Sequence, residues 1–461
     1  MQGTMSATHG IIYVTLISRK SRVVGLSQST FSPLYISCAI LFHYSLLKFP
    51  SGMDSEKMQL LLDAPGIKGK SVKILSNQSL IDYVQSIILN TQVTKDPFYI
   101  LDLSATALLV ENWSCQLPMI KPFYAVKCNS DPLLLAALAV LGCNFDCASK
   151  AEIQSVLSFG VSPDRIVYAN PCKAETHLKY AAKVGVNLTT FDSKYEIDKI
   201  SKLHPRCSLL LRIKGPPDSA SKWAPLGSKF GALPEEVEPL LEAARDCGLS
   251  VSGISFHIGS ESTNPHSFRS AIAASKVAFD CATKLGMPPM TTLNIGGGFT
   301  AGSFFDEAAT VIKSALLDYF PDNPKLTVIS EPGRYFAETV FTLATNIIGK
   351  RVRGETREYW LNDGVFGSFL CVAYGITPPS SMPLALSSNL ANPTGEGLPR
   401  HRSTLFGPTC DSVDKVTENT DLPELETNDW LMFPNMGAYS TACSTSFNGF
   451  SPDVVFTYLV I

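Results

Sequence analysis

Short apolar runs alternate with longer segments of helical period from about residue 120 to residue 330. An apolar run of about four to eight residues predicts a buried strand, and apolar residues that recur every three or four positions predict a helix. The predicted strands are Phe123–Val126, Asn144–Cys147, Arg165–Ala169, Asn187–Phe191, Ser208–Ile213, Val251–His257, Thr292–Ile295 and Leu326–Ile329. The predicted helices are Pro132–Leu141, Ala151–Phe159, Glu175–Val184, Lys194–Leu203, Pro234–Cys247, Ser267–Leu285 and Phe305–Tyr319. This alternation is typical of an α/β fold of the (β/α)8 TIM-barrel type, and a doubly wound open sheet is the structural alternative.

The periodicity changes after Arg334, where Gly, Pro, Asn and Ser separate short strand-like runs. These runs are Val340–Ile348, Arg357–Trp360, Trp430–Phe433 and Val454–Ile461. They predict a mostly β second domain, in which the Pro-, Ser- and Asn-rich stretch 378–399 is a surface loop. The chain is therefore divided into an N-terminal extension (1–55), a segment contributing to the β domain and the approach to the barrel (56–120), the barrel (121–336) and a C-terminal β domain (337–461).

The N-terminal extension differs in composition from the rest of the chain. No Asp or Glu precedes Asp54, whereas Ser, Thr, Lys and Arg are frequent, as in an organellar transit peptide. The apolar run Leu34–Leu47 is shorter than a membrane-spanning helix requires. Met53 is an alternative start, which would make the preceding segment an artefact or a disordered extension. We expect a cytoplasmic protein, or a plastid protein if the extension is a transit peptide.

Composition and charge exclude several classes of protein. With 461 residues, 45% of them hydrophobic and 17% charged, the chain can bury a large core and is expected to form two domains. The net charge is -3 and no dense basic run carries interleaved aromatic residues, so nucleic acid is not an expected partner. The 12 cysteines include no Cys-x-x-Cys pair and no His/Cys ligand spacing, which favours reduced thiols and predicts no metal site.

A lysine follows the first predicted barrel strand, within Pro122–Asn129. An amine at the carboxyl end of a barrel strand can attack an aldehyde once it has lost its proton, for which it needs partial desolvation or a nearby positive charge. Lys127 is therefore interpreted as a Schiff-base lysine. The alternative is a strand-terminal lysine that extends into water.

Polar groups at the other strand ends favour the Schiff-base interpretation. They are Asp146 with the following Glu152, Arg212, His257–Ser260, Gly296–Gly298 and Glu331–Arg334. Consecutive glycines let backbone N–H groups approach a phosphate, to which Ser260 and Arg334 add a hydroxyl and a guanidinium. Glu331 would keep a pyridine nitrogen protonated, and His257 would stack on the ring. The alternatives are an ion pair of Glu331 with Arg334 and a buried core histidine. Together these groups predict a phosphorylated, electron-withdrawing cofactor.

Seven motifs resemble those of one known family. They are PFYAVKCN (122–129), FDCASKAEI (145–153), SFHIGS (255–260), GGGF (296–299), EPGRYF (331–336), GPTCDSVD (407–414) and FPNMGAYS (433–440). In this order they are similar to the fold type III (group IV) pyridoxal-phosphate decarboxylases, of alanine racemase-like fold, and specifically to the plant-like eukaryotic ornithine decarboxylases. The resemblance extends from about residue 60 to the C-terminus, and it implies pyridoxal 5'-phosphate as cofactor.

The resemblance assigns a role to each matching residue at the cofactor. Lys127 would hold the cofactor covalently, with Asp146 and Glu152 as its acidic neighbours. The other implied cofactor contacts are Arg212, His257 on the ring, Ser260, Gly297, Gly298, Arg334 and Tyr439 at the phosphate, and Glu331 at the ring nitrogen. The residues implied in catalysis are Lys127, His257, Glu331 and Cys410, the last directing protonation of the carbanion that remains when CO2 departs.

The resemblance also implies an assembly. Asp411 would bind the distal amine of the substrate, and family members are head-to-tail homodimers in which Cys410 and Asp411 reach the partner's site. Lys229 and Asp192 resemble an inter-subunit ion pair. An antizyme-like regulator is a further implied partner.

One stretch departs from the family pattern. Family members carry Tyr-Asp-His where this chain has Tyr374, Gly375 and Ile376, and their Asp is a second carboxylate around the distal amine; Phe366 replaces a family Tyr. The resemblance implies decarboxylation of L-ornithine to putrescine and CO2 in polyamine biosynthesis, with Tyr374 and Gly375 beside Asp411 at the substrate. The departure leaves two alternatives open. One is a specificity shifted to lysine, giving cadaverine, or to another amino acid, and the other is a non-catalytic protein similar to the antizyme inhibitors.

Overall fold

The computed structural model describes residues 55–75, 78–90, 95–215, 229–260, 262–321, 323–376, 378, 380–451 and 455–461. The expectations for the N-terminal extension lie outside these residues. Among the helices that are described, none combines the length and the apolar character needed to cross a membrane.

The N-terminal part of the described chain contributes to both halves of the molecule. Its elements are α1 (Ser55–Leu62), β1 (Val72–Lys73), α2 (Leu80–Asn90), β2 (Phe98–Asp102) and α3 (Leu103–Gln116). Strands β1 and β2 join the C-terminal sheet. Helix α3 begins where the Asp102 carboxylate accepts a hydrogen bond of 2.9 Å from the Ala105 N–H. Its Trp113 ring packs against Phe299 and Phe305 of the barrel half, with ring centroids 5.1 and 5.3 Å apart.

Eight parallel strands form a closed barrel. They are β3 (Ile120–Ala125), β4 (Asn144–Cys147), β5 (Ile166–Tyr168), β6 (Leu188–Phe191), β7 (Ser208–Arg212), β8 (Ser250–Ser255), β9 (Thr292–Asn294) and β10 (Thr327–Ser330). The intervening helices are α4 (Pro132–Val140), α5 (Lys150–Ser158), α6 (Glu175–Val184), α7 (Lys194–Leu203), α8 (Pro234–Asp246), α9 (His266–Lys284) and α10 (Ser303–Tyr319). Because β10 pairs with β3 and closes the ring, the predicted (β/α)8 barrel is confirmed and the open sheet is excluded.

The barrel strands are apolar because both of their faces are covered. Leu209, Leu210 and Leu211 of β7 are all fully buried. Leu210 packs with Phe123 and Val167 in one cluster, whereas its two neighbours belong to the main core. Alternate residues therefore point to opposite faces of the barrel wall, and the strand reads as a continuous apolar run.

Polar caps start the helices directly after the strand ends. Asp131 Oδ1 accepts a hydrogen bond of 2.8 Å from the Leu133 N–H at the start of α4, where Pro132 is the first helical residue. Ser149 Oγ accepts one of 3.3 Å from the Glu152 N–H at the start of α5. These caps keep the connections short, so the strand ends stay at the mouth of the barrel.

The second domain is built on a nine-stranded sheet. After the short helix α11 (Arg334–Ala337) its strands are β11 (Phe341–Arg353), β12 (Thr356–Leu361), β13 (Met382–Leu384), β14 (Arg400–Phe406), β15 (Lys415–Pro423), β16 (Trp430–Phe433) and β17 (Phe456–Val460). The strand order is β1-β17-β2-β11-β12-β14-β15, and β16 pairs with β11 and β13. Strand β11 pairs antiparallel with β2, β12 and β16. The predicted mostly β second domain is confirmed.

The prediction of a surface loop for 378–399 is wrong in part. Strand β13 lies in this stretch, and its Leu384 packs with Leu386, Phe98 and Trp430 in a separate small core. The apolar run Met382–Leu384 is only three residues long and lies within a Pro- and Ser-rich stretch, so the sequence pattern did not indicate a strand. Strands β14 and β15 escaped prediction for a different reason, because charged side chains such as Arg402 on their exposed faces interrupt the apolar pattern.

Candidate active site

The predicted cofactor residues of the barrel lie at or just beyond the carboxyl ends of its strands. Lys127 follows β3, Asp146 is in β4, Arg212 ends β7, His257 follows β8, Gly296–Gly298 follow β9 and Glu331 follows β10. Because the strands are parallel, all of these ends open on the same mouth. Electrostatic and hydrogen-bond contacts link these side chains to one another.

Lys127 and Asp146 form an ion pair at this mouth. Lys127 Nζ donates a hydrogen bond of 2.7 Å to Asp146 Oδ2. Asp146 is buried, whereas 40% of the Lys127 side chain is accessible. Partial burial lowers the pKa of the Lys127 ammonium, but the charges of Asp146 and Glu331 outweigh it and hold the pKa above its usual value. The sequence led us to expect a nearby positive charge or desolvation that would free the amine; the acidic neighbours instead stabilise the ammonium.

The second oxygen of Asp146 marks a position for another donor. Asp146 Oδ1 is buried and has no hydrogen-bond partner among the residues that the structure describes. A buried carboxylate oxygen without a partner is costly, so it is expected where a bound group completes the site. Glu152 lies nearby and its Oε2 accepts a hydrogen bond of 2.5 Å from the Ala148 N–H. This hydrogen bond lowers the pKa of the Glu152 carboxyl, but burial outweighs it and raises the pKa above its usual value.

Glu331 is the second buried carboxyl of the mouth. Its Oε1 accepts a hydrogen bond of 2.6 Å from Asn294 Nδ2. Burial and the charge of Asp146 raise the pKa of Glu331 to about 7, although Lys127 and Arg212 act in the opposite direction. Arg212 faces the same carboxyl, and its own pKa is lowered by burial despite the attraction of Glu331. Glu331 therefore lies close to the balance between its neutral and ionised forms.

His257 is held as a neutral imidazole. Burial, followed by the charges of Arg212 and Lys127, keeps the pKa of His257 well below its usual value. The Gly259 N–H donates a hydrogen bond of 2.8 Å to His257 Nδ1, which assigns the ring proton to Nε2. Nε2 lies against the glycine turn, since a Cβ atom placed on Gly297 would be only 2.9 Å from it. The ring is thus fixed by contacts at both nitrogens.

The glycine turn and Arg334 form a basic, donor-rich corner. Gly298 has a φ of +111°, and a Cβ atom there would lie 2.7 Å from Ile258 Cγ1, so only glycine fits. Arg334 Nε donates to Ser260 Oγ at 3.4 Å, and Arg334 Nη1 pairs with Glu338 Oε1 at 2.5 Å. The Arg334 guanidinium also lies over the Tyr439 ring, 5.5 Å from its centroid. The predicted phosphate residues are therefore adjacent.

Cys410 and Asp411 lie elsewhere, on the connection between β14 and β15. Both are exposed. The Cys410 N–H donates a hydrogen bond of 2.9 Å to Asn448 Oδ1, and Asp411 Oδ1 accepts one of 3.0 Å from the Val413 N–H. Within the described residues of one chain, no hydrogen bond or ion pair connects them to Lys127 or its neighbours.

The remaining predicted residues lie around the cluster rather than in it, although the charge of Asp192 acts on Arg212. Tyr374 is 69% exposed, and Gly375 ends a short 3-10 helix at a φ of +84° with nothing within 4 Å of the place a Cβ would take. Asp192 Oδ2 accepts a hydrogen bond of 2.9 Å from the Gly231 N–H, and Lys229 Nζ lies over the Phe230 ring. Asp192 and Lys229 are not paired with each other in the described part of the chain.

Sequence reasoning missed one polar residue of the mouth, Asn294. It is fully buried and bonds to Glu331. The available signal was its position, because a polar residue that ends an apolar strand directly before a glycine turn faces the same mouth as the other strand ends.

Comparison with known proteins identifies the family. The family described as "Pyridoxal-dependent decarboxylase, pyridoxal binding domain" matches residues 106–338. The chain belongs to the pyridoxal-dependent decarboxylases. The chloroplastic ornithine decarboxylase of Nicotiana glauca is 55% identical over 386 residues, which are 84% of this chain and 89% of that protein.

Solved decarboxylase structures share the fold. The arginine decarboxylase of Paramecium bursaria Chlorella virus, bound to agmatine, has a TM-score of 0.76 and 38% identity, covering 82% of this chain and 99% of its own. The lysine/ornithine decarboxylase of Vibrio vulnificus, complexed with cadaverine, has a TM-score of 0.73 and 28% identity. The match covers 83% of this chain and 99% of that one. The family resemblance carried by the motifs is thereby confirmed.

The mouth fits the cofactor of these decarboxylases. It offers an amine at Lys127, a buried Asp146 oxygen that has no partner among the described residues, a carboxyl at Glu331 whose pKa is raised, and the donors around Arg334. The predicted cofactor, pyridoxal 5'-phosphate, is confirmed, and the protein is a pyridoxal-phosphate-dependent carboxy-lyase. The roles of the individual residues remain predictions.

Proposed function

We propose that this decarboxylase converts L-ornithine to putrescine and CO2, a reaction of polyamine biosynthesis. The observation that carries the proposal is the cluster at the barrel mouth, where the partly exposed Lys127 amine meets the buried carboxyls of Asp146 and Glu331, in a chain 55% identical to a plant ornithine decarboxylase. Bound pyridoxal phosphate supplies an electron sink for the carbanion that forms as CO2 departs.

Lys127 attaches the cofactor in this proposal, and Asp146 holds its Nζ in place. The 2.7 Å hydrogen bond to Asp146 fixes the direction of a long, flexible side chain. The raised pKa of Lys127 favours a positively charged nitrogen at this position. Asp146 therefore stabilises positive charge on the lysine nitrogen, whether that nitrogen is free or bonded.

Glu331 would keep the ring nitrogen of the cofactor protonated. A carboxyl whose pKa has been raised to about 7 holds its proton close to neutral pH, and beside a basic nitrogen it becomes the anionic half of an ion pair. His257 is neutral, so it packs against the ring without repelling that positive charge. Arg212 balances the two carboxylates of the mouth from the end of β7.

The corner formed by the glycine turn and Arg334 holds the phosphate. Gly297 and Gly298 have no side chain that would separate their backbone N–H groups from a phosphate, and the surrounding atoms leave no room for one. Arg334 is oriented by Glu338 and Ser260, and its guanidinium would form charge-assisted bonds with the phosphate.

A second copy of the chain completes the site. The connection that carries Cys410 and Asp411 is exposed and lies beside exposed apolar side chains, with Val413 at 62%, Phe447 at 41% and Phe450 at 47%. Apolar side chains clustered around polar ones are typical of a protein interface. In a two-fold dimer each chain would bring its Cys410 thiol, as proton donor, and its Asp411 carboxylate, as amine ligand, to the other's mouth.

A second candidate is a decarboxylase that prefers lysine. Gly375 provides no carboxylate and leaves open space, so a longer amino acid would meet less steric and charge restriction there. A solved relative of the same fold is a lysine/ornithine decarboxylase. The third possibility, a non-catalytic protein similar to the antizyme inhibitors, is disfavoured because Lys127, Glu331 and Arg334 are all in place.

Two measurements test the proposal. Purified protein assayed against ornithine, lysine, arginine and diaminopimelate should release CO2 fastest from ornithine, and a higher kcat/KM for lysine would establish the second candidate. The absorption spectrum should show the near-visible band of lysine-bound cofactor. A colourless protein that releases no CO2 would favour the non-catalytic alternative, for which binding to an antizyme-like regulator is the next assay.

The compartment is proposed on sequence grounds alone. The Nicotiana relative is named chloroplastic, and residues 1–53 of this chain carry no acidic residue. A start at Met53 would remove that segment, so we propose a cytoplasmic location, with the plastid as the alternative if residues 1–52 are a transit peptide. A fluorescent fusion of the full chain, compared with one that starts at Met53, distinguishes the two.

A further inference from the structure

Asn294 makes two hydrogen bonds in opposite directions at the end of β9. Its Nδ2 donates to Glu331 Oε1 at 2.6 Å, and its Oδ1 accepts from the Gly296 N–H at 2.9 Å. The residue is fully buried. The two bonds fix which end of the side-chain amide carries the donor, because the Gly296 N–H has to meet an oxygen.

The Gly296 peptide is held on its other side as well. Its carbonyl oxygen accepts hydrogen bonds of 2.7 Å from Ser330 Oγ and from the Glu331 N–H. Gly296 has a φ of +63°, and a Cβ atom there would lie 2.1 Å from the Phe256 carbonyl oxygen. The first residue of the glycine turn is therefore clamped between β9 and β10, with little freedom to shift.

We propose that Asn294 is a positioning residue that links the Glu331 carboxylate to the glycine turn. It would thereby fix the position of Glu331, which faces the cofactor ring, relative to the turn, which faces the phosphate. This inference rests on the proposed roles of Glu331 and the turn. Asn294 itself touches neither cofactor nor substrate in this assignment; it acts through the two groups to which it bonds.

The Asn294 amide can donate a hydrogen bond to Glu331 at every pH, whereas a carboxylic acid in its place can do so only while it is protonated. An Asp at position 294 has nearly the same shape and can also accept a hydrogen bond from the Gly296 N–H. It would donate to Glu331 only in its protonated form. The charged groups that face Glu331 from the other elements are Asp146 on β4, Lys127 after β3 and Arg212 on β7. Tyr439 acts electrostatically on Lys127, and Asp192 acts on Arg212. Neutral His257 lies beside Lys127 and Arg212.

Asn294→Asp is the variant that tests this role, measured by the pyridoxal phosphate dissociation constant across pH. While Asp and Glu331 share one proton, the bond persists and affinity should stay near that of the unaltered protein. Once both carboxyls are ionised, repulsion replaces the bond, and affinity should fall by about tenfold to a hundredfold relative to the unaltered protein at the same pH. kcat should fall over the same pH range with little change in KM, because Asn294 has no contact with substrate.

Ser330→Ala is the matched control, since it loosens the Gly296 carbonyl without touching the Glu331 side chain. It should lower cofactor affinity without adding a new pH dependence. Asn294→Ser is a second variant, too short to reach Glu331, and should show the loss at every pH. The inference is overturned if Asn294→Asp matches the unaltered protein within twofold from pH 6 to 9, or if its loss is as independent of pH as that of Ser330→Ala. Either result would leave the proposed decarboxylation standing, because the unaltered protein would still bind cofactor and release CO2.

Discussion

The barrel mouth and the Cys410 connection differ in how complete they are within one chain. At the mouth, side chains contact one another directly, as in the bond from Lys127 to buried Asp146 and the bond from Asn294 to Glu331. On the β14–β15 connection, Cys410 and Asp411 are exposed, and their hydrogen bonds run through backbone N–H groups. The mouth fits a cofactor, whereas Cys410 and Asp411 have no hydrogen bond or ion pair with the mouth among the residues that the structure describes. We therefore expect the proposed cofactor contacts to come from one chain and turnover to need two.

The largest expected effect comes from removing the amine at the mouth. Lys127→Ala should lower decarboxylation by at least about a thousandfold, because no other residue of the cluster is a lysine. It should also abolish attachment of the cofactor after borohydride reduction, followed by mass spectrometry. Lys121→Ala, at the exposed start of the same strand and away from the mouth, is the control and should keep both properties. Covalent cofactor in the Lys127→Ala protein would mean that another lysine is the anchor.

The pH dependence of stability tests the electrostatics of the mouth. Burial and Asp146 raise the pKa of Glu331 from 4.5 to about 7, so the folded protein binds this proton more tightly than the unfolded chain does. The resulting stabilisation is fully present below about pH 4.5 and is lost as pH rises through 7, by up to about 3 kcal/mol.

The cofactor-free protein carrying Glu331→Gln should therefore lose less thermal stability than the unaltered protein between pH 5 and pH 8. The control is Glu111→Gln, which removes an exposed carboxyl that pairs with Lys57 away from the mouth. Identical pH profiles for the Glu331→Gln and unaltered proteins would show that Glu331 is not held in its neutral form by burial.

The smallest expected effect concerns the substrate side, at Gly375 and Ile376. Restoring a carboxylate and an imidazole with Gly375→Asp and Ile376→His should raise the ratio of kcat/KM for ornithine over lysine by about tenfold, because a charged group near an ammonium adds one charge-assisted bond.

The structure supplies the matched control for this change. Gly375 adopts a φ of +84°, where any side chain strains the backbone and Asn and Asp are tolerated best. Gly375→Asn with Ile376→His has the same backbone cost without the charge, and should leave the ratio near its original value. Equal ratios in the Asp and Asn variants would remove these positions from the substrate pocket.

The sequence predicted the barrel well because its physical signals are local. Runs such as Leu209–Leu211 are buried on both faces and read directly as strands, and the strand ends then bring Lys127, Asp146 and Glu331 to one mouth. Strands β14 and β15 were missed because their exposed faces are charged. Pairing with neighbouring strands decides their structure, and the local pattern does not show that pairing.

The electrostatics of the mouth could not be derived from the sequence. Spacing alone does not show that the two carboxyls next to Lys127 would raise its pKa, nor that Asn294 would bridge Glu331 and Gly296. Cys410 and Asp411 entered the candidate site through the family motif only. The structure of one chain leaves them exposed, so their part in catalysis stays a prediction.

Complementation between two inactive chains tests most directly whether the mouth of one chain works with the Cys410 connection of another. Lys127→Ala and Cys410→Ala proteins are each expected to be nearly inactive alone. Mixed in equal amounts and allowed to exchange subunits, half of the dimers become hybrids with one intact site of two, so activity should return to about one quarter of the unaltered level. Native mass spectrometry verifies that hybrids have formed. Hybrids present without any recovered activity would contradict the shared site.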